Sequence, residues 1–235
     1  MKRVVPALLT DNKDAFIDML DKCAKFTDYV QIDIMDGEFV PSRSITIADL
    51  DGLKSPVGSE AHLMVNNPLA WVDVFKNLGA KKIIFHFESN NGVGKYGLPY
   101  TTENLNNYPQ REFSCNHIAI IDEIKSGGLE VGIAINPSTR LDEFKFLVDA
   151  VDSVLFMAVN PGFYGAPFIP EVLDNIKSFK GMFPQKMIGI DGGVKLSNVK
   201  DILASGLDYI CVGSAILKDA DPALAYQKFI KIVNE

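Results

Sequence analysis

Six side chains that can hold a metal ion or move a proton stand near the ends of short apolar runs: Gln31, Asp33, His62, His86, Glu88 and Asp191. The stretch Val30-Gln31-Ile32-Asp33-Ile34-Met35 alternates strictly. Side chains of a strand point to opposite faces in turn, so Val30, Ile32 and Ile34 share one face and Gln31, Asp33 and Met35 the other. The β-branched set suits a sheet covered by helices. An amide and a carboxylate buried on the second face are costly unless paired, hydrogen-bonded or bound to a metal. Gln31, Asp33, His62 and Asp191 together offer oxygen and nitrogen ligands for a divalent cation. Asp33 and Asp191, on different strands, also suit proton transfer at opposite faces of one substrate. Taken alone, each has a plainer reading. A strand histidine is often a hydrogen-bonded core residue, and an aspartate after a strand often caps the next turn. Met35, Met64 and Met157 read by spacing as adaptable core filler. Polar groups gathered at one end of a sheet favour a site.

The elements that must gather them alternate along the chain. Strands are expected at 4–9, 30–35, 60–65, 82–87, 130–135, 153–159, 187–191 and 209–213. Helices are expected at 14–26, 47–54, 66–78, 117–126, 141–148, 170–180, 196–205 and 222–233. Thr10 or Asp11 is placed to cap the first helix, and Gly79 to end the third. Eight strands alternating with helices predict a (β/α)8 TIM barrel, a single domain over 1–235 with its chemistry at the C-terminal strand ends. The segment 90–116 breaks the rhythm with Gly92, Gly94, Gly97, Pro99 and Pro109. It is read as an extended loop after strand 4, on the catalytic face, acting as a lid or a subunit contact.

Bulk properties exclude several partners. The net charge is −7 and the sequence pI about 5.0, which argues against nucleic acid and anionic membranes. At 47% hydrophobic and a mean hydropathy of +0.10, the chain can build a sizeable core. Cys23, Cys115 and Cys211 are far apart and odd in number, which reads as free thiols in a reducing compartment. The start resembles neither a signal peptide nor a membrane span, so a cytoplasmic protein is expected.

Three glycine turns lie late in the chain: 160–165, Asp191-Gly192-Gly193-Val194 and Val212-Gly213-Ser214-Ala215. The last two follow strands 7 and 8, where barrels commonly bind phosphate through backbone N–H groups and a short helix.

At this point the sequence resembles the ribulose-phosphate 3-epimerase family over nearly its whole length. The matching pieces are Asp33-Ile34-Met35-Asp36-Gly37 with Phe39-Val40-Pro41, His62-Leu63-Met64-Val65 with Pro68, and Phe85-His86-Phe87-Glu88. Asn136-Pro137, Asn160-Pro161-Gly162-Phe163 with Phe168-Ile169-Pro170, Asp191-Gly192-Gly193-Val194 and Gly213-Ser214-Ala215-Ile216 follow in the same order.

The resemblance implies a barrel of the ribulose-phosphate-binding type and a 1,1-proton transfer at C3 of a ketopentose 5-phosphate. It implies Asp33 and Asp191 as the acid/base pair. One divalent metal ion (zinc, manganese, iron or magnesium) would be held by Asp33, His62, Asp191 and, less surely by type, Gln31. Met35, Met64 and Met157 would cap the enediolate, with Thr10 and His86 on the substrate side. Phosphate would lie against Gly162, Gly165, Gly192, Gly193, Gly213 and Ser214. A homo-oligomer, dimer or hexamer, is implied as well.

Three departures stand out. Gln31 replaces a histidine of the family pattern, Ala7 and Thr10 stand where serines are usual, and Gly162-Phe163-Tyr164-Gly165-Ala166 replaces Gly-Phe-Gly-Gly-Gln. Three functions are therefore open: a metal-dependent epimerase of D-ribulose 5-phosphate, a 3-epimerase of a ketohexose 6-phosphate directed by Tyr164 and the 90–116 segment, or a non-catalytic sugar-phosphate-binding paralogue. Retention of both Asp33 and Asp191 speaks against the last.

Overall fold

Eight short strands, each apolar on its outer face, close on one another to form a parallel barrel. They are β1 (Arg3–Leu8), β2 (Tyr29–Met35), β3 (Gly58–Met64), β4 (Lys82–His86), β5 (Glu130–Ile135), β6 (Ser153–Met157), β7 (Met187–Asp191) and β8 (Tyr209–Val212). Each pairs with its sequence neighbours, and β8 returns to β1 through Arg3↔Tyr209 to Pro6↔Val212. The computed structural model describes residues 2–89, 110–162 and 165–235, with backbone alone over 110–116. Tyr164 and the stretch 90–109, with the roles expected of them, lie outside the described residues.

The helices α1 (Lys13–Cys23), α2 (Ile47–Leu50), α3 (Val72–Leu78), α4 (Gln110–Ser126), α5 (Leu141–Phe144), α6 (Val172–Met182), α7 (Val199–Ala204), α8 (Ser214–Leu217) and α9 (Pro222–Asn234) run between and after the strands. Asn12, rather than Thr10 or Asp11, caps α1: its side chain accepts from Ala15 N at 2.9 Å. Gly79 ends α3 at φ 94°, a conformation open to glycine at little cost. The segment expected as a helix at 66–78 contains a 3₁₀ stretch, Pro68–Trp71, and the one expected at 141–148 turns into 3₁₀ over Lys145–Ala150, running past its expected end. α4 is described from Gln110 on, so the helix includes at least seven residues ahead of the expected start at His117. Gln110-Arg111-Glu112 are good helix formers, and Pro109 directly precedes them. No helix among the described residues is long and apolar enough to cross a membrane.

The outer core lies between strands and helices. Val30, Ile32 and Ile34 of β2 are fully buried there, as the alternation predicts. Phe144, Phe156 and Phe179 interlock at centroid distances of 5.4 to 6.3 Å. Truncating Phe179 to Ala would leave a cavity worth about 3–5 kcal/mol. Inside the barrel, glycines make room for large neighbours. A Cβ on Gly189 would stand 2.2 Å from the Tyr209 ring, and one on Gly132 would stand 2.8 Å from Ile84. Register sets the inner layers: Asp33 pairs with His62, Met35 with Met64 and Met157 with Asp191. The β2–β3 and β6–β7 pairs thus deliver the chemical groups to the C-terminal mouth.

Candidate active site

The two carboxylates meet at the floor of the mouth. His62 Nδ1 lies 3.0 Å from Asp33 Oδ1 and 3.2 Å from Asp191 Oδ2. Gln31 Nε2 donates to the same two oxygens, at 2.8 Å each. Its carbonyl Oε1 in turn accepts from the Cys211 thiol at 3.0 Å. Four side chains from β2, β3 and β7 therefore share two oxygen atoms, with a fifth from β8 fixing the amide.

Burial raises Asp33, and the Asp191 charge raises it further; bonds from His62 and Gln31 oppose this, leaving it at about 6. Burial alone would lower His62, but its hydrogen bonds and charge pairing with Asp191 and Asp33 outweigh that and raise it to about 10. The imidazole is thus held as a cation between two carboxylates. That is the arrangement expected where a positive charge is required at this point. Asp33, His62 and Asp191 offer ligand atoms all within 4.8 Å of one another. Two carboxylate oxygens and one imidazole nitrogen form a donor set suited to a divalent cation.

A pocket of about 150 Å³ opens above this floor. Asp33, His62 and Asp191 line it, and so do Met35, Met64 and Met157. Gly162, Gly165, Gly192, Gly193, Gly213 and Ser214 form its far wall. Gly192 and Gly193 take φ of 98° and 66°, and a Cβ on Gly192 would stand 2.5 Å from Val159. Glycine is needed there for conformation and for space. Gly162 packs on the loop after β2, where Ser42 Oγ donates to its carbonyl at 2.5 Å. Asp36 pins the same loop, accepting from Glu38 N and Phe39 N at 2.8 Å each and from Asn66 N at 2.6 Å. Asp33 and Asp36 thus have separate jobs: one faces the pocket and the other holds its rim.

Three expected site residues are placed off the pocket wall. Gln31 is fully buried beneath the carboxylates and turns its NH₂ toward them. Thr10 faces away; its hydroxyl accepts from Asn12 N at 3.2 Å and its carbonyl from Ile45 N, while Ala7 and Leu9 supply the wall. His86 is fully buried one layer behind His62, their Nε2 atoms 3.0 Å apart. Register explains this placement. His86 pairs with Ala134 of β5, on the side of the barrel away from β7.

Two wall residues with a hydrogen-bond donor on the side chain were not anticipated. Lys195 stands at the rim directly after the Gly192-Gly193-Val194 turn, and that position is the signal that marks it. Cys211 shares the inward parity of Tyr209 and reaches both pocket and Gln31.

Comparison with known proteins follows the same lines. The Ribulose-phosphate 3 epimerase family pattern matches residues 3–96 and 110–217. The chain is 32% identical over 195 residues to a ribulose-phosphate 3-epimerase of Synechocystis sp., covering 80% of this chain and 75% of that one. It is 29% identical over 231 residues to one of Helicobacter pylori, covering 96% and 95%. Among solved structures it is similar to 3-hexulose-6-phosphate synthase from Salmonella typhimurium, at a TM-score of 0.65 and 18% identity over 100% and 99% of the two chains. KGPDC from Streptococcus mutans superposes at 0.68 and 14% identity over 99% and 97%. These two likenesses carry the barrel fold. The sequence match spans most of the strands that build the mouth, and on it the chain belongs to the ribulose-phosphate 3 epimerase family, isomerases acting on carbohydrates.

Proposed function

We propose that the protein inverts C3 of D-ribulose 5-phosphate to give D-xylulose 5-phosphate, by a 1,1-proton transfer through an enediolate. The observation that carries this reading is the meeting of Asp33 and Asp191, from β2 and β7, on one His62 nitrogen at 3.0 and 3.2 Å. A substrate lying over that floor has a carboxylate available to each face of C3. Without a bound ion, burial and the Asp191 charge hold Asp33 at about 6, so both its protonation states are within reach near neutrality. One carboxylate removes the C3 proton as base, and the other, protonated, delivers a proton to the opposite face. Which of the two acts first depends on the direction of reaction.

Asp33, His62 and Asp191 would hold one divalent metal ion, which when bound would polarise the ketone and stabilise negative charge on the oxygens. Gln31 supports the two carboxylates as a hydrogen-bond donor, tying one oxygen of each to a single nitrogen. Met35, Met64 and Met157 close the floor with apolar surface; this excludes water that would return a proton without control of face. The phosphate is read against Gly192, Gly193, Gly213 and Ser214, with the Lys195 ammonium at the rim. In an acidic chain such local donors must supply the grip.

The test is a reaction in D₂O with D-ribulose 5-phosphate, after chelation and again after adding zinc, manganese or magnesium. The expected result is deuterium at C3 of both epimers, and much weaker turnover of D-ribulose lacking phosphate. No C3 exchange with any of these metals would remove the proposal.

A further inference from the structure

Behind the site runs a hydrogen-bonded chain that the proton transfer itself does not use. Glu88 Oε1 accepts from Asn136 N at 2.9 Å and from Thr139 Oγ1 at 2.5 Å. Its second oxygen, Oε2, stands 3.2 Å from His86 Nδ1. His86 Nε2 stands 3.0 Å from His62 Nε2. His62 Nδ1 then faces Asp33 and Asp191.

The proton positions follow from the carboxylate end. An ionised carboxylate only accepts, so His86 Nδ1 must be the donor to Glu88. A neutral imidazole with its proton on Nδ1 carries a lone pair on Nε2. Two facing ring nitrogens at 3.0 Å need one donor and one acceptor, so the proton between the rings belongs to His62 Nε2. The Phe39 ring, 4.9 Å from His86, holds that imidazole in place.

We propose that His86, anchored by Glu88, is a positioning residue: it keeps the proton of His62 on Nε2 and leaves Nδ1 to face Asp33 and Asp191 as a metal-ligating atom. A polar partner behind a ligand histidine sets its tautomer and orientation and raises its basicity. The β4 and β5 loops thereby act on the metal site through two rings, without touching metal or substrate. The inference rests on the metal site proposed above, and its test separates the two.

Zinc affinity is measured by competition with a chromogenic chelator for the full-length protein, His86→Leu and His86→Gln. Glutamine can accept from His62 Nε2–H with its carbonyl and donate to Glu88 with its amide; leucine can do neither. His86→Leu should bind zinc about 10- to 100-fold more weakly, the usual cost of losing such a partner. His86→Gln should stay within a few-fold of the unaltered protein. Equal losses in both variants, or none in either, overturn the inference.

A second measurement does not need a bound metal. Imidazole ¹⁵N spectra, with the proteins folded by circular dichroism, should show the His86 proton on Nδ1 with and without zinc. A proton on His86 Nε2 overturns the inference in either state. If the unaltered protein fails to hold zinc, the metal reading and the ligand half of this inference fall together. The His86 proton then still decides the relay.

Discussion

The barrel buries a cluster of ionisable groups at each end, and the two clusters solve the same problem differently. At the N-terminal end, Lys82 Nζ meets Glu60 Oε2 at 2.7 Å, with both side chains almost fully buried. Tyr29 donates to the same oxygen at 3.3 Å, and Lys82 lies 4.9 Å from the centre of the Tyr209 ring. The charges there balance within the protein. At the C-terminal end, Asp33 and Asp191 face one imidazole and one amide. Balance is reached only partly, and only while His62 keeps its proton. Both clusters line a pocket, so the difference lies in charge: one carboxylate matched by one ammonium is structure, whereas two carboxylates on one imidazole leave charge for an ion and a substrate. Both ends obey the rule that buried charge must be paired.

The largest effect should separate the two ends by activity. Asp33→Asn and Asp191→Asn should each lower kcat by about 10²- to 10⁴-fold, the usual worth of a general acid or base, with the fold intact by circular dichroism. Near-native turnover in both variants would mean that the C-terminal carboxylates do not move the proton.

Stability should separate them in the opposite sense. Lys82→Met leaves Glu60 buried and uncompensated, which typically costs about 3–5 kcal/mol. Urea unfolding should reveal that loss, while the kcat of the folded fraction stays close to that of the parent. If added zinc restored Lys82→Met as strongly as it stabilises the parent, the N-terminal cluster would not be self-contained.

Gln31 tests how open the upper cluster is. An imidazole there suits zinc better than an amide does. Gln31→His should therefore tighten zinc binding by at least about 10-fold, the lower end of what a supporting partner contributes. Identical affinities in a chelator titration would show that residue 31 serves the carboxylates alone.

The pH dependence follows from His62. Its proton is bound more tightly in the folded chain, at about 10, than in the unfolded one, near the usual 6.5. That stabilisation is complete below pH 6.5 and is lost as the pH rises through about 10. The metal-free protein should lose Tm across that window, and the metal-loaded protein should lose less, because the ion replaces the proton. A flat metal-free profile would mean that His62 is not held as a cation.

The smallest effect is expected at the rim. Lys195→Ala should raise KM for the phosphorylated substrate a few-fold at low salt. The difference should shrink as salt is added, since exposed charges are screened. An unchanged KM at low salt would take Lys195 out of the phosphate grip.

Much of this was present in the order of residues. The alternation Val30 to Met35 specified an inner face bearing Gln31 and Asp33, because side-chain direction in a strand has a period of two. Glycine-containing turns after strands 7 and 8 marked the turns that line the pocket wall; at Gly192 and Gly193 few other residues adopt the conformation or fit the space. Helix limits were less legible. The 3₁₀ segments depend on packing against the barrel more than on local preference.

What the tertiary structure alone decided was distance across the barrel. Strand tilt and stagger bring β2 and β7 together over His62 and set His86 a layer behind it. Sequence parity said that Gln31, His62 and His86 point inward, but not which would meet the pocket. It gave no sign that the Gln31 amide would serve both carboxylates, since that requires Asp33 and Asp191, 160 residues from Gln31 in the second case, to be closed onto one point. Thr10 lies two residues past β1, where the chain leaves the strand and its parity no longer holds. The residue types were therefore fixed locally, whereas their roles at the mouth were fixed by closure of the sheet.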